Sequence, residues 1–274
     1  MKSGWLLRVL TNALGVLLAL FFLLPLLWFV FAPFNERATL SVRIPEAFSL
    51  HNFEVVLNND TAIRSLVQNS LLISGGVMIL TALIATLAAY GFSRGSLPGR
   101  SIITYVLLLF SSVVTGTASL VPIFVLIYNI GMFNTYQGVI LTLVGGMLPT
   151  SIFIMRDFID SLPRSYEEAA MVSGASSLQI VRDIVFPTLR PGVLVVAVLA
   201  FVNGWGAFLT PLILIRNAAM RPAAIAFYQF YSDEGTPNIP LISAYAVLYT
   251  LPVLILYLII NARYGFRFFG GIKQ

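Results

Sequence analysis

Cysteine is absent from this chain, and histidine occurs once, at His51. Without cysteine there is no disulfide and no thiolate metal site, and one imidazole without partner ligands makes a poor site for a transition metal. Charge is scarce as well, because Asp, Glu, Lys and Arg supply 10% of the 274 residues. A soluble domain carries about 25% charged residues. With 58% hydrophobic residues, the composition is that of an integral membrane protein.

Lysine is limited to Lys2 and Lys273, near the two ends of the chain. A P-loop requires G-x-x-x-x-G-K-[ST], in which the lysine reaches the β- and γ-phosphates, and neither lysine has that setting. The chain also lacks H-E-x-x-H, and one histidine gives little basis for a Ser/His/Asp triad. We therefore predict that this protein is not an enzyme, holds no cofactor or metal of its own, and relies on another polypeptide for any ATP hydrolysis.

Long uncharged stretches dominate the rest of the sequence. A membrane-spanning helix needs ~20 apolar residues, so the uncharged run from 101 to 155 is too long for one span. Turn-prone residues cluster at Asn129–Gly131 and Asn134–Gly138, and we expect the run to break there. The sequence thus predicts an all-α integral membrane protein with a single transmembrane domain over residues 1–274. Its six predicted spans are about 9–33, 66–92, 102–128, 137–156, 191–215 and 241–262.

Positive charge is divided unequally between the two sides that these spans define. Eleven of the 16 Lys and Arg residues fall on the side of both termini. Cytoplasmic loops carry the excess of Lys and Arg in membrane proteins. We therefore expect the termini and the loop 157–190 to be cytoplasmic, and the loops of about 33–64 and 216–240 to lie outside.

Glycine recurs within the predicted spans. Because lipid supplies no hydrophobic drive for helix association, membrane helices attract one another largely through close packing at small residues. We predict close contacts between helices at six of these glycines. They are Gly75, Gly76, Gly145, Gly146, Gly204 and Gly206.

The segment 162–187 is polar and charged, unlike its surroundings. Ser165 and Glu168 have the S-x-x-E spacing of a capping box, in which the hydroxyl and the carboxylate each bind the other residue's backbone N–H. The pattern predicts a helix over Tyr166–Val172 that begins with this box. Gly174 follows at the position after a helix where a positive φ is favoured.

A second helix start follows at once. Ser176 and Gln179 repeat the capping spacing, and we expect Pro187 to end this helix because the residue before a proline avoids the α region. The product is a pair of short helices joined at a glycine corner. The residues alone leave two interpretations open: a docked helix pair on which another protein pushes, or a capped amphipathic loop on the membrane surface.

The spacing in this segment resembles the EAA loop of the inner-membrane subunits of ATP-binding-cassette (ABC) importers. That loop reads E-A-A, three residues, G, nine residues and I-x-L-P, and Phe186 stands here where leucine is usual. In the family the loop forms a coupling helix that sits in a groove of the ATPase subunit. The resemblance implies that contact with the ATPase is made by Glu167, Glu168, Ala169, Ala170, Gly174, Ala175, Ile184 and Pro187.

Four further stretches resemble the carbohydrate branch of these importers, in particular the second permease of maltose-type systems. They are Ser49–Leu57, Ala88–Arg100, Ile130–Leu141 and Tyr264–Gln274. The resemblance implies a permease of the cell membrane for a sugar or oligosaccharide. It also implies four kinds of partner: a second permease subunit in a heterodimer, two ATPase subunits that bind ATP and Mg²⁺, an extracytoplasmic solute-binding protein and the lipid bilayer. No nucleic acid is expected.

Other transporters remain as alternatives. A permease for a peptide or a polyamine would share the coupling segment. A secondary transporter or a channel subunit usually carries ionisable residues inside its spans. The six predicted spans contain none apart from Arg156 at one end, which argues against these two classes.

Sugars are bound by stacking on aromatic rings and by hydrogen bonds to their hydroxyls. In the fifth predicted span Phe201, Trp205 and Phe208 have the i, i+4 and i+7 spacing of one helix face. Asn203 in the same span needs a polar partner or a wet cavity. These four residues form the predicted substrate pathway, and an aromatic packing stripe against a neighbouring subunit is the alternative.

The outer loop of about 216–240 is long for a simple helix connection. In maltose-type permeases the matching loop reaches into the sugar site of the binding protein. The resemblance therefore implies that Tyr228, Gln229 and Tyr231 contact the binding protein. The alternative is an aromatic anchor at the membrane boundary, where tyrosine is enriched.

Overall fold

The computed structural model describes residues 3–41, 44–95, 99, 102–103, 105–106, 109 and 117–264. Most of these residues are helical, and none of them forms a strand; Tyr231 and Pro237 make an isolated antiparallel bridge. The predicted all-α class is therefore confirmed over the described chain. The stretch 265–274, which belongs to the last of the four stretches that carried the resemblance, lies outside the described residues.

Thirteen α-helices are found among the described residues. Two π-helical turns, Arg64–Asn69 and Val181–Val185, and several 3₁₀ turns lie between them. The helices are α1 Ser3–Phe31, α2 His51–Leu57, α3 Asp60–Ile63, α4 Ser70–Arg94, α5 Leu120–Asn129, α6 Tyr136–Asp160, α7 Ser165–Val172, α8 Ser177–Ile180, α9 Phe186–Thr188, α10 Arg190–Gly206, α11 Leu209–Leu214, α12 Ala223–Ala226 and α13 Ile239–Tyr264.

Four helical stretches are long and apolar enough to cross a membrane: Arg8–Phe34, Asp60–Arg94, Tyr136–Asp160 and Ile239–Arg263. They correspond to the first, second, fourth and sixth predicted spans. A fifth candidate consists of two helices, Val181–Thr188 and Arg190–Gly206, that meet at a bend of 64°. Ten of the 27 residues of the predicted third span, 102–128, lie outside the described set, and its described end belongs to the shorter apolar helix Thr117–Asn129.

The predicted break in the long uncharged run is confirmed. Helix α5 ends at Asn129, and both Gly131 and Asn134 then take positive φ values, of 73° and 58°. Helix α6 begins at Tyr136, where the hydroxyl of Thr135 accepts a hydrogen bond from the backbone N–H of Gly138 at 3.1 Å. A threonine in this position satisfies one of the four N–H groups that a helix start leaves without an intrahelical partner.

The predicted fifth span, 191–215, is wrong as a single helix. Helix α10 ends at Gly206, Ala207 is extended, and α11 begins at Leu209. Pro211 favours a break here, because in a continuous helix its ring would clash with the carbonyl of the residue four before it, Ala207. In the observed arrangement Pro211 lies in the first turn of α11, where a missing N–H breaks no helical hydrogen bond.

The described chain divides into two compact units. One contains Met1–Arg64 and Ala226–Ile255, and the other contains Ser65–Ile225 and Leu256–Gln274. In the second unit α4, α6 and α10 pack against one another. Their shared core holds fully or almost fully buried residues, among them Ile73, Val77, Val139, Val144, Met155, Val196 and Ala200.

Two of the six glycines bring these helices close together. A Cβ added at Gly204 would lie 3.0 Å from the Cα of Ser74, and one added at Gly76 would lie 2.7 Å from Cδ1 of Ile140. The predicted close packing is thus confirmed for α10 against α4 and for α4 against α6. For Gly75, Gly145 and Gly206 the described residues of this chain provide no such contact, since an added Cβ would meet none of their atoms within 4 Å.

The first half of the predicted outer loop is fixed to the second unit by amide side chains. Asn69 is buried and its Nδ2 donates to the carbonyls of Ala219 and Arg221, each at 2.9 Å. Tyr136 donates to the Oδ1 of the same Asn69 at 2.7 Å. Asn134 holds the start of this loop in the same way, because its Oδ1 accepts from the backbone N–H groups of 216 and 217 at 2.9 Å.

The other unit has an aromatic cluster at its centre. Tyr245 is fully buried, and its ring contacts those of Phe227 and Phe230 at centroid distances of 4.8 and 5.3 Å. The cluster positions the 3₁₀ turn Phe227–Phe230, which carries two of the residues predicted to contact a binding protein.

Candidate functional site

The first predicted capping box, Ser165 with Glu168, is wrong. Helix α7 begins at Ser165 itself, its N-cap is Arg164 with no side-chain cap, and the N–H of Glu168 donates to the Arg164 carbonyl at 3.0 Å. Since the helix starts one residue earlier than the pattern indicates, the Ser165 hydroxyl is no longer in the N-cap position.

The neighbouring carboxylate, Glu167, has a role that the sequence did not reveal. Its side chain is almost fully buried, and Oε1 forms an ion pair with Nε of Arg94 at 2.7 Å. Oε2 accepts a hydrogen bond from the hydroxyl of Tyr90 at 3.1 Å. Nη2 of Arg94 donates to the carbonyls of Ile159 and Leu162 at 3.1 and 2.9 Å. Arg94 thus joins the end of α4, the end of α6 and helix α7.

A second polar group lies beside this pair. Ser93 hydrogen-bonds to Asp160, and Arg164 donates to the backbone carbonyl of Ser93 at 3.3 Å. Asp160 also pairs with Arg156, one turn earlier in α6, at 3.3 Å. These contacts tie the ends of α4 and α6 to each other. Among the described residues no group of three or more His, Asp and Glu is placed to hold a metal ion.

The predicted glycine corner is confirmed. Gly174 has a φ of 84°, and its N–H donates to the carbonyl of Met171 at 3.0 Å. The N–H of Ala175 donates to the carbonyl of Ala170, also at 3.0 Å. These two bonds form a Schellman motif, which satisfies carbonyls at the end of α7 and requires a left-handed residue at the glycine position.

The second predicted capping box is confirmed as well. The Oε1 of Gln179 accepts from the N–H of Ser176 at 2.8 Å, and the Ser176 hydroxyl accepts from the N–H of Gln179 at 3.4 Å. The prediction that Pro187 ends this helix is wrong, because the chain stays helical through the π turn and α9. Pro187 lies in the first turn of α9, a position that tolerates proline. The bend comes two residues later, at Leu189.

The residues predicted for ATPase contact divide into an inner and an outer group. Glu167 is buried, and Ala170 and Ala175 pack against the core formed by α4 and α6. Ile184 and Pro187 are half-buried, Gly174 is exposed at the corner, and Glu168 and Ala169 are exposed. Apolar side chains on the same outer surface are also exposed: Tyr166 by 62%, Met171 by 58% and Val172 by 90%.

A cavity of about 420 Å³ lies where α10 is interrupted. Its lining combines apolar side chains with the amide of Asn203 and three threonine hydroxyls, and no charged side chain is among the described residues that line it. Such a lining can hydrogen-bond neutral hydroxyl groups. The lining residues are Thr117, Leu120, Ile123, Thr142, Leu143, Gly146, Met147, Asn203, Gly206, Ala207, Phe208, Leu209 and Thr210.

The predicted helix face of Phe201, Trp205 and Phe208 is not formed. Phe201 and Trp205 stack on each other at a centroid distance of 5.7 Å, and both are buried in the second unit. Phe208 lies beyond the end of α10, so the helical spacing that grouped it with them does not apply. Phe208 and Asn203 do meet at the cavity, where the Asn203 Nδ2 donates to the carbonyl of Leu199 at 2.9 Å.

A larger recess, of about 620 Å³, lies between α4 and the stretch 181–197. Its walls are almost wholly apolar and include Met78, Leu83, Leu87 and Phe186. It offers little that could hydrogen-bond a hydroxylated solute, so the smaller cavity is the better candidate for a substrate pathway.

The residues predicted to contact a binding protein lie on one exposed turn. The rings of Tyr228 and Tyr231 are 5.7 Å apart, and the two residues are 58% and 41% exposed. Gln229 is half-buried, and its Nε2 is buried without a hydrogen-bond partner in the described chain. Gly235, with a φ of 80°, closes the turn that follows. The structure thus presents an aromatic pair outward and turns Gln229 partly inward.

The amino-acid sequence matches a known protein family over most of its length. A profile described as "binding-protein-dependent transport system inner membrane component" matches residues 83–267. The sulfoquinovosyl glycerol transport system permease of Agrobacterium fabrum is 31% identical over 245 residues, which cover 88% of this chain and 85% of that protein. The maltodextrin transport system permease of Bacillus subtilis is 28% identical over 261 residues, 94% of this chain and 92% of that protein.

Structural comparison agrees with the sequence matches. A chain of a bacterial ABC transporter involved in the import of the acidic polysaccharide alginate superposes with a TM-score of 0.82. The superposition covers 96% of this chain and 98% of that chain, at 18% sequence identity. At this low identity the likeness concerns the fold, which is that of a membrane-embedded ABC permease.

Proposed function

This chain belongs to the family of binding-protein-dependent transport system inner membrane components, and on that premise we propose that it is the permease subunit of an ABC importer for a sugar or oligosaccharide. The observation that carries the substrate class is the match, over nearly the whole chain, to permeases named for sulfoquinovosyl glycerol and maltodextrin transport. The chain is a multi-pass membrane protein, and we place it in the cytoplasmic membrane.

The cavity at the interrupted helix is the proposed substrate pathway. Asn203 and the threonines supply hydrogen bonds to sugar hydroxyls, and Phe208 supplies a ring. A polyamine would need carboxylates, and the described lining has none. This composition favours a neutral, hydroxylated substrate over a polyamine. Phe201 and Trp205 support the wall from within the core.

The segment 157–190 is the proposed docking surface for one ATPase subunit. The importer has two ATPase subunits, which bind ATP and Mg²⁺ in place of this chain. Its outer surface is apolar at Tyr166, Met171 and Val172, with Glu168 and Ala169 beside them. An exposed apolar patch of this kind marks a protein contact. The anchored inner side, formed around Glu167, would carry the motion of the ATPases to the membrane helices.

Two further partners complete the proposed importer. A second permease subunit supplies the other half of the pathway in a heterodimer. A solute-binding protein delivers the substrate from outside, and the exposed pair Tyr228 and Tyr231 is the proposed contact with it. The family description itself names dependence on a binding protein.

The proposed orientation places both termini and the segment 157–190 in the cytoplasm. Because the native chain has no cysteine, a single introduced cysteine is the one thiol of this chain that a maleimide can label. We expect Glu234→Cys to react with a membrane-impermeant maleimide in intact cells, since Glu234 is exposed in the outer turn. Arg182→Cys, at a side chain that is 83% exposed, should react after the cells are permeabilised. Labelling of Arg182→Cys in intact cells would contradict this orientation.

Uptake measurements test the substrate class. Cells that produce the permease with its partner subunits should accumulate at least one radiolabelled sugar from a panel of maltotriose, trehalose and cellobiose. Asn203→Leu should lower that uptake by up to about tenfold, because a lost hydrogen bond costs about 1 kcal/mol. Val202→Leu is the matched control, one residue away at a 42% exposed position that does not line the cavity. Accumulation of spermidine or a dipeptide, and of none of the sugars, would reject the proposal.

A further inference from the structure

We propose that Arg94 is the positioning residue of the coupling segment: through Glu167 it holds helix α7 to the ends of α4 and α6, so that these three helices move as one body. The inference rests on the proposed function, because it assigns a means by which motion at α7 reaches the substrate cavity.

The contacts of Arg94 carry the inference. Its guanidinium reaches Glu167 of α7 through Nε, and it reaches the carbonyls of Ile159 and Leu162 through Nη2. Nη1 lies 3.4 Å from the hydroxyl of Ser93. The side chains of the ion pair are only 11% and 8% exposed. The planar guanidinium of arginine carries several N–H donors and can hydrogen-bond to acceptors on two helices at once. The ammonium of a lysine is a single compact charge.

Helix α7 depends on this contact for its position. It has eight residues, and Glu167 is the one of them that is buried. A helix of this length is not stable on its own in water. The outward apolar side chains of α7 face away from the protein. The direction of the helix is therefore fixed by the ion pair with Arg94, by the Tyr90 hydroxyl on Glu167 and by the hydrogen bond of Arg164 to the Ser93 carbonyl, with the half-buried Ala170 packed beside them.

Stability alone does not account for such a pair. The desolvation of two buried charges largely offsets their attraction, so a buried ion pair is weak evidence of a stabilising role. The two carbonyl contacts fix the position of Arg94 relative to α6. Ile159 belongs to the last turn of α6, and Leu162 belongs to the turn that follows it. Carbonyls at a helix end have no intrahelical partner, and a cation placed there also favours the helix dipole.

Helix α6 then links this group to the cavity. It carries Thr142, which lines the cavity, and Ile159, whose carbonyl binds Arg94. The two positions are 17 residues apart in one helix, or ~25 Å at 1.5 Å per residue. A displacement of α7 that is passed to Arg94 therefore reaches the cavity wall along a single helix.

The test uses the assembled transporter, with both permeases and both ATPases, and reads the cavity with Thr142→Cys. The rate at which this cysteine reacts with a water-soluble maleimide is measured with and without ATP plus vanadate. The variant Arg94→Met/Glu167→Met removes both charges, so no unpaired charge stays buried and folding is preserved. We expect the ATP-dependent change at Thr142→Cys, measured per bound ATPase, to fall by more than half in this variant.

Two further variants make the test specific. Arg94→Lys keeps the positive charge but loses the planar guanidinium and its several donors. We expect this variant to fold and to lose part of the ATP-dependent change in the reaction rate of Thr142→Cys. Arg156→Gln breaks a pair that stays within α6, and it should keep the full change. If Arg94→Lys and the double variant both respond like the wild type, Arg94 has no positioning role. If the wild-type permease binds no ATPase, the proposed function fails instead.

Discussion

Replacing Gly204 with leucine should prevent the protein from folding. A Cβ at this position would lie 3.0 Å from the Cα of Ser74 and 3.4 Å from the Cβ of Val77. The first of these atoms is backbone, so α10 would have to move away from α4 along the contact that joins them. Overpacking of a tight core costs about 1–3 kcal/mol for added methylenes, and a whole leucine side chain exceeds that. We expect little or no monodisperse protein after extraction from the membrane.

Gly206→Leu is the matched control, with the same chemical change two residues along the same helix. A Cβ at Gly206 meets no atom within 4 Å, so yield and melting temperature should match the wild type. Gly206 lines the cavity, however, and a leucine there would occupy part of its volume of about 420 Å³. Sugar uptake should therefore fall at normal protein yield. Equal recovery of Gly204→Leu and Gly206→Leu would disprove the packing argument.

Replacing Gly174 with leucine should weaken the binding of the ATPase subunit and, with it, transport. The backbone there has a φ of 84°, and a left-handed conformation costs a residue with a side chain about 1–2 kcal/mol. To avoid that strain the corner would have to open, which would break the two Schellman hydrogen bonds and redirect the helix that follows. Since Gly174 is exposed and no atom lies within 4 Å of an added Cβ, the membrane helices should still fold.

The measurement is sugar uptake together with the amount of ATPase subunit that co-purifies. We expect Gly174→Leu to reach the membrane in normal amounts, to retain less ATPase and to lose most of its uptake. Gly174→Asn is the matched control, because asparagine tolerates the left-handed region far better than leucine. Wild-type uptake in Gly174→Leu, or an equal defect in both variants, would show that the corner geometry does not matter for coupling.

Local chemistry explains which features of the coupling segment could be predicted. The positive φ of Gly174 and the box between Ser176 and Gln179 each depend on residues within a few positions. The box at Ser165 failed because the spacing does not determine the first helical residue to within one position. The burial of Glu167 could not be predicted, since its partner lies 73 positions earlier in the chain.

The prediction that Phe201, Trp205 and Phe208 share one helix face failed because the predicted fifth span is not one continuous helix. The i, i+4 and i+7 spacing joins Phe201, Trp205 and Phe208 only if the helix is continuous. Pro211 favours a break near Ala207 but does not require one, because Pro149 and Pro252 lie inside the continuous helices α6 and α13. What the sequence could not indicate is that the break leaves Asn203 and Phe208 at a cavity shared with α6.

The interruption between Gly206 and Leu209 also bears on how well this protein insulates the membrane. Each helix end leaves backbone N–H and carbonyl groups without an intrahelical partner. In hydrocarbon such groups are tolerated only where protein buries them or where water fills a cavity. We expect water to fill the cavity beside the break and the hydrocarbon barrier to be thinner there than across the rest of the bilayer. The seal against ions must then come from the packed helices on either side of the cavity, so a loosened core would produce leak as well as lost transport.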